Sequence, residues 1–329
     1  MQTKIYQIDK NSIEKAKELL LSSNVVAIPT ETVYGLGAVG TDPIAVKKIF
    51  EVKGRPSDNP LIAHVHKDYD LNSLVNIEQD YVYSLMRAFT PGPLTMVFMS
   101  KGVVCGEAVC GGQTLAVRIP SHAGCQELLK AVNLPIVAPS ANLSKHTSPV
   151  SAEHVYNDLN GKIQMILDGG QCDGGIESTV LDCTDKVPRI LRAGLITKEM
   201  IESVCGACEI AEHKASDKVR SPGVKYKHYK PKCETALYEA NQTDLALERY
   251  QDEERQGKVP YLMCSNEVAK NFKGKNLLLL GNTEQEIAHN LYDKLLEGEK
   301  IADIIIAIAM PDEKGVNLGI MNRMRKSCG

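Results

Sequence analysis

Short apolar runs alternate along almost the whole chain with segments whose apolar positions recur at helical spacing. That alternation predicts an α/β protein. Strands are predicted at residues 25–28, 61–65, 94–99, 115–119, 135–138, 165–167, 179–182 and 189–191, and helices at 12–21, 43–51, 78–89, 123–131, 152–159 and 198–204. The opening residues MQTKIYQIDKNSIEKAKELL read as a strand and then a polar-faced helix. Thr41-Asp42-Pro43 is a good helix start, with the threonine hydroxyl as cap and proline in the first turn. From about residue 210 the pattern lapses. AEHKASDKVRSPGVKYKHYKPKC has little apolar periodicity, many cations, and prolines at 222 and 231. It reads as a linker or an extended arm. A compact alternation follows, with strands at 235–238, 259–264, 277–280 and 303–310 and helices at 245–255, 284–296 and 316–326. The chain is expected to divide into a large unit at 1–209, an arm at 210–232 and a small Rossmann-like α/β unit at 233–329.

A length of 329 residues suits two domains. Lys plus Arg is 38 against 41 Asp plus Glu, a net charge of −3, which excludes a globally basic nucleic-acid coat but not a local patch. The longest apolar run, residues 304–310, falls far short of the roughly 20 residues a bilayer span needs. The N-terminus lacks the apolar core and cleavage site of a signal peptide. A cytosolic protein is expected, and its ten scattered cysteines should be reduced thiols. The one CxxC, Cys205-Gly-Ala-Cys208, has His213 and Cys233 as its nearest further ligands, and they complete no zinc pattern.

Three segments could carry chemistry. Gly35-Leu-Gly37-Ala-Val-Gly40 fits G-x-G-x-x-G, but Pro29-Thr-Glu-Thr-Val-Tyr34 separates it from the preceding strand. A dinucleotide turn must follow its strand directly, so a flexible glycine turn is the better reading. Lys53-Gly-Arg55-Pro-Ser-Asp-Asn59 places two cations just past a helix end, where they either face a polyanion or simply favour the helix C-terminus. Pro139-Ser140-Ala-Asn142 follows a predicted strand, the place where α/β sheets meet ligands; Ser and Asn also favour plain turns there. A glycine-rich loop, Gly174-Gly-Ile-Glu-Ser178, precedes another strand. No Walker A sequence, nucleophile elbow or Ser/His/Asp order occurs.

PTETVYGLG at 29–37, KGRPSDNPL at 53–61, FTPGPLT at 89–95, AVRIP at 116–120, PSANLS at 139–144 and GGIESTV at 174–180 occur in that order. Together they resemble the YrdC-type threonylcarbamoyl-adenylate synthase family. SPGVKYKHYKP at 221–231, with the small unit after it, is similar to the family's two-domain long form. One departure is visible: Lys145-His146 stands where the family usually has glycine after PSANLS.

The resemblance implies a large twisted mixed-sheet domain with a concave ligand face. It also implies a nucleotidyltransferase that makes threonylcarbamoyl-adenylate and pyrophosphate from L-threonine, bicarbonate and ATP, with Mg2+ on the phosphates. Other proteins, threonylcarbamoyl-transferases, would pass the group to the adenosine beside a tRNA anticodon. By resemblance, Lys53 and Arg55 are the catalytic triphosphate pair, and Asn59, Thr114, Ala138, Ser140, Asn142, Ser148 and Arg192 are further ATP contacts. Thr32, His64, Arg118 and Ser178 fall at threonine positions. Guanidinium suits the amino-acid carboxylate, whereas His64 and Ser178 also read as an ordinary strand histidine and a turn serine. The arm at 221–231 interleaves lysines with aromatics and is expected to close over the site, with Tyr226 reaching the nucleotide. The rivals are a double-stranded-RNA-binding module, or a weak RNA contact by the enzyme, and an NAD-dependent oxidoreductase using the glycines at 35–40. A hydrogenase-maturation carbamoyltransferase is a third, but the chain has no room for its extra domains.

Overall fold

The structure, a computed structural model, describes residues 2–211 and 229–329. Twelve strands form one mixed sheet. From edge to edge these are Lys4–Gln7, Met165–Asp168, Val26–Ile28, Gly35–Val39, Ile136–Val137, Ile62–His64, Thr114–Arg118, Leu94–Ser100, Thr179–Asp182, Arg189–Arg192 and Glu209–Ile210, with Val75–Asn76 beside Leu94–Ser100. The predicted strands and helices of this part recur within a few residues of their expected bounds.

Strand periodicity decides which residues face which layer. Val26 and Ile28, Met165 and Leu167, and Ile136 pack on one face under the helices Lys10–Leu21 and Ala123–Val132. Ala27, Ile166 and Val137 point the other way into the main core. Further along, Ile62, Val97, Ala116 and Val180 form a small apolar patch. The register pairs Ile62 with Ala116 and His64 with Arg118, so the patch continues into polar positions on the same face. This face is the floor of the site.

Two expectations are corrected. The glycines at 35–40 are not a turn. Gly35–Val39 is a strand, antiparallel to both Val26–Ile28 and Ile136–Val137. A Cβ on Gly37 would stand 3.0 Å from Ile136 Cγ2, and one on Gly40 2.9 Å from Val137 Cγ1. These glycines let strands approach, which leaves no phosphate-binding turn and removes the dinucleotide reading. The cap of helix Pro43–Lys53 is Asp42 rather than Thr41. Asp42 accepts from the amides of Ile44 at 2.8 Å and Ala45 at 3.2 Å, with proline in the first turn as expected.

The second sheet has four parallel strands in the order Glu234–Tyr238, Ile304–Ile308, Pro260–Cys264, Leu277–Leu279. It is a Rossmann-like layer whose last strand lies between its first and second. Ile304, Ile306 and Ile308 face Ala246 and Tyr250 of helix Thr243–Arg255. Ile305 and Ala307 face the opposite way, toward the helices Glu284–Ile301 and Gly315–Cys328. Those two helices pack onto the large unit, and a single apolar cluster runs from Ile176 and Cys172 to Leu291, Tyr292 and Ile320. Most of the arm, including Tyr226, lies outside the described residues.

All ten cysteines are free, and Cys205 ends the helix Lys198–Cys205. Among the described residues no helix is long and apolar enough to cross a membrane.

Candidate active site

A partly open cleft of about 730 Å³ lies over the sheet face that carries Ile62, His64 and Arg118. It gathers ten of the expected site residues: Thr32, Lys53, Arg55, His64, Arg118, Ala138, Ser140, Asn142, Ser178 and Arg192. Their segments lie far apart in the sequence, and the sheet order brings them together. Asn59 and Ser148 are buried nearby but do not line the cleft. Thr114 is not brought to it: it begins the strand that Arg118 ends, roughly 13 Å away along the backbone.

Lys53 is the last residue of its helix, and Gly54 ends that helix in the left-handed conformation (φ 59°). The Lys53 side chain leaves its own helix end and runs beneath the PSAN loop. Its ammonium donates to the carbonyls of Ser140 (2.6 Å) and Asn142 (2.5 Å) and to Asn142 Oδ1 (3.2 Å). All three protons are thus engaged, and the loop is fixed by a buried cation. Burial, and then the charge of Arg55, hold the Lys53 pKa well below the ordinary lysine range. Arg55 donates to the Asn59 carbonyl at 3.1 Å.

Arg118 also lines the cleft, and its Nη1 donates to Thr32 Oγ1 at 2.8 Å. Its Nη2 forms a buried ion pair with Glu31 Oε1 at 2.8 Å. Nε is buried without a hydrogen-bond partner among the described residues. His64 Nδ1 lies 3.1 Å from the carbonyl of Ile62, which can only accept, so Nδ1 carries the proton and Nε2 keeps its lone pair. Burial, and then the neighbouring Arg118, push the His64 pKa down to about 3.

Several wall residues were not legible as site residues. Glu177 lines the cleft and accepts from Ser148 Oγ at 2.6 Å, Tyr292 Oη at 3.0 Å and Arg323 Nε at 3.0 Å. Burial would raise its pKa, but Arg323, Arg192 and the Ser148 hydroxyl outweigh that and hold it at about 2. Ser178 Oγ meets Thr95 Oγ1 at 2.8 Å and accepts from Arg192 Nη2 at 3.1 Å. Tyr229 lines the cleft, stacks at 5.3 Å on Tyr292, and accepts through its carbonyl from Thr147 Oγ1 at 3.0 Å. Lys145 and His146 also face the cleft, and Lys145 has φ 74°. The loop therefore keeps the conformation a glycine would take and gains a cation there.

The lining is strongly cationic, with Lys53, Arg55, Arg118, Lys145 and Arg192 against one carboxylate, Glu177, that is already paired. Such a cleft suits a polyanion. Among the described residues no group of three or more His, Cys, Asp or Glu is placed to hold a metal ion.

Comparison with known proteins sets this geometry in a family. A family model described as Telomere recombination, covering Sua5, YciO and YrdC proteins, matches residues 18–194. One described as Threonylcarbamoyl-AMP synthase, C-terminal domain, matches residues 196–329. Threonylcarbamoyl-AMP synthase of Bacillus subtilis is 42% identical, over 96% of this chain and 93% of its own length. The Pyrococcus abyssi enzyme of the same name is 39% identical, over 98% and 96%. The crystal structure of P. abyssi Sua5 complexed with L-threonine superposes with a TM-score of 0.91 at 38% identity, covering 99% of this chain and 97% of that one.

Proposed function

The chain belongs to the Sua5/YrdC family of threonylcarbamoyl-AMP synthases in its two-domain form, and from that membership we propose that the cleft makes threonylcarbamoyl-AMP. The substrates are L-threonine, bicarbonate and ATP, and the second product is pyrophosphate, so the enzyme is a nucleotidyltransferase. The adenylate then serves tRNA modification beside the anticodon, through separate threonylcarbamoyl-transferases.

One observation carries the assignment of the threonine position: a buried guanidinium, Arg118, lines the cationic cleft beside Thr32, with its Nη2 paired to Glu31 at 2.8 Å. A guanidinium is the side chain best suited to receive an amino-acid carboxylate. Threonine then sits over the apolar floor, with Thr32 and the lone pair of His64 Nε2 within its polar surroundings. The triphosphate lies toward Lys53, Arg55 and Lys145. Lys53 acts from below, lending charge while it holds Ser140 and Asn142 in place. Asn59, Ser148, Ala138 and Arg192 support the nucleotide side.

The chemistry follows from these placements. Bicarbonate gives up its hydroxide to yield CO2, the neutral threonine amine bonds to that carbon and loses a proton so that water is released and a carbamate forms, and a carbamate oxygen then attacks the α-phosphorus as the bond to pyrophosphate breaks. Negative charge gathers on the phosphates, so fixed cations lower the barrier without any nucleophilic side chain. Magnesium enters as part of the nucleotide substrate, held by phosphate oxygens. We place the unit boundaries at 1–209, 210–232 and 233–329, because helix Lys198–Cys205 packs on Tyr81–Phe89 of the large unit.

The test is calorimetry with threonine and with ATP on the wild-type chain and on Arg118→Leu. The assignment expects threonine affinity to fall by roughly tenfold or more while ATP affinity holds. Equal losses for both ligands would remove Arg118 from the threonine end.

A further inference from the structure

The small unit reaches into the wall of the cleft. Arg323, on helix Gly315–Cys328, is fully buried, and its guanidinium is spent on the loop between Gly174 and Ser178 and its surroundings. Nε donates to Glu177 Oε2 at 3.0 Å and Nη2 to the Glu177 carbonyl at 3.3 Å. Nη1 donates to the carbonyls of Ala193 and Gly319. Tyr292, on helix Glu284–Ile301, adds a bond to the same carboxylate. The next residue along the loop is Ser178, whose carbonyl and hydroxyl are held by Arg192 at 3.1 Å each. Two arginines from different units thus grip consecutive peptides.

The packing is as close as the hydrogen bonding. Gly175 has φ 68°, and a Cβ there would stand 2.2 Å from the Ala288 carbonyl oxygen. His289 Nδ1 lies 2.9 Å from the Asp173 carbonyl. A Cβ on Gly319 would meet Gly194 Cα at 3.2 Å. The loop therefore has no independent position: the helices of the small unit mould it.

We propose that Arg323 is a positioning residue for the synthase reaction, acting through Glu177 to set Ser178 and the adjacent wall, so that the small unit completes the site. This rests on the function proposed above. It does not require Arg323 to touch a substrate. A displacement of about 1 Å at a positioned group can cost roughly a hundredfold in rate. A carboxylate left without its buried cation would shift, and Ser178 with it.

The experiment compares wild type, Arg323→Met and the double variant Glu177→Gln/Arg323→Met. Each is measured for Tm, and for kcat and KM toward threonine at saturating ATP and bicarbonate. Removing one partner of a buried ion pair strands a charge, whereas replacing both leaves none. The double variant is therefore expected to recover most of the wild-type Tm yet keep a threonine KM raised by roughly tenfold or more. Arg323→Met should show the same KM together with a lower Tm. If Arg323→Met does not fold, the double variant decides by itself. Wild-type KM and kcat in the double variant would overturn the inference and leave the pair a stability element alone. A wild-type chain that releases no threonine-dependent pyrophosphate would instead overturn the functional reading and this inference with it.

Discussion

Lys145 holds a left-handed backbone (φ 74°) that a side chain makes costly by about 1–2 kcal/mol. Its amide neighbours explain why the loop is kept: the Lys145 carbonyl accepts from Lys230 N at 3.1 Å, and Asn142 Nδ2 donates to the His146 carbonyl at 2.7 Å. Lys145→Gly should therefore raise stability by up to about 1 kcal/mol, read as a higher Tm, while weakening ATP binding measured by calorimetry. The cations proposed to face the triphosphate make a second prediction. Arg55→Ala should lower synthesis by about a hundredfold or more with little change in Tm. Lys53→Met should lose both activity and Tm, because the PSAN loop hangs on that ammonium. A third concerns His64. Its folded pKa of about 3 lies below the ordinary value near 6.5, so below pH 6.5 the unfolded chain binds the proton and the folded one does not. Stability from this group is full above pH 6.5 and is lost as pH falls toward 3. His64→Gln should flatten the Tm–pH slope over that window, and an unchanged slope would contradict the burial of a neutral ring. Lys53 and Ser140 stood out in local motifs that also read as a helix end and a plain turn, and Arg118 came from the family resemblance; the fold brings all three to one cleft. Glu177 and Arg323 were not legible, since they lie 146 positions apart and each looks like an ordinary surface charge until the fold buries it.

At the scale of elements, the strands and helices could be read closely because their apolar positions follow one period at a time. Helix Ala152–Leu159 and strand Thr179–Asp182 match their predicted bounds. Strand Gly35–Val39 was missed for a physical reason: its glycines carry no side-chain pattern, and their role appears only when neighbouring strands close on them. The loop at 174–178 is a similar case. The sequence shows only a glycine-rich loop before a strand, yet Gly175 is pinned under helix Glu284–Ile301. Gly175→Ala should collide with the Ala288 carbonyl and with His289, in a backbone conformation that alanine disfavours. A Tm loss corresponding to about 2 kcal/mol or more is expected, together with faster proteolysis between the units. An unchanged Tm would mean that the helices do not bear on the loop.

The whole molecule is two α/β layers joined by a continuous apolar cluster and one buried ion-paired network. An interface of that kind opposes free relative motion, and heating should unfold both units in a single calorimetric transition. The sheet order could not be read from the sequence, because it depends on pairings between strands as distant as Lys4–Gln7 and Met165–Asp168. Where local patterns left alternatives open, the resemblance named the candidate residues, most of which line one cleft. The most direct measurement of the central claim follows carbon. The chain is incubated with ATP, threonine and 13C-labelled bicarbonate, and the adenylate is analysed at once by mass spectrometry. The account predicts a threonine-dependent adenylate that carries one labelled carbon, with pyrophosphate released in equal amount and little product when valine replaces threonine. An unlabelled threonyl-adenylate, or a labelled product formed equally well from valine, would contradict it.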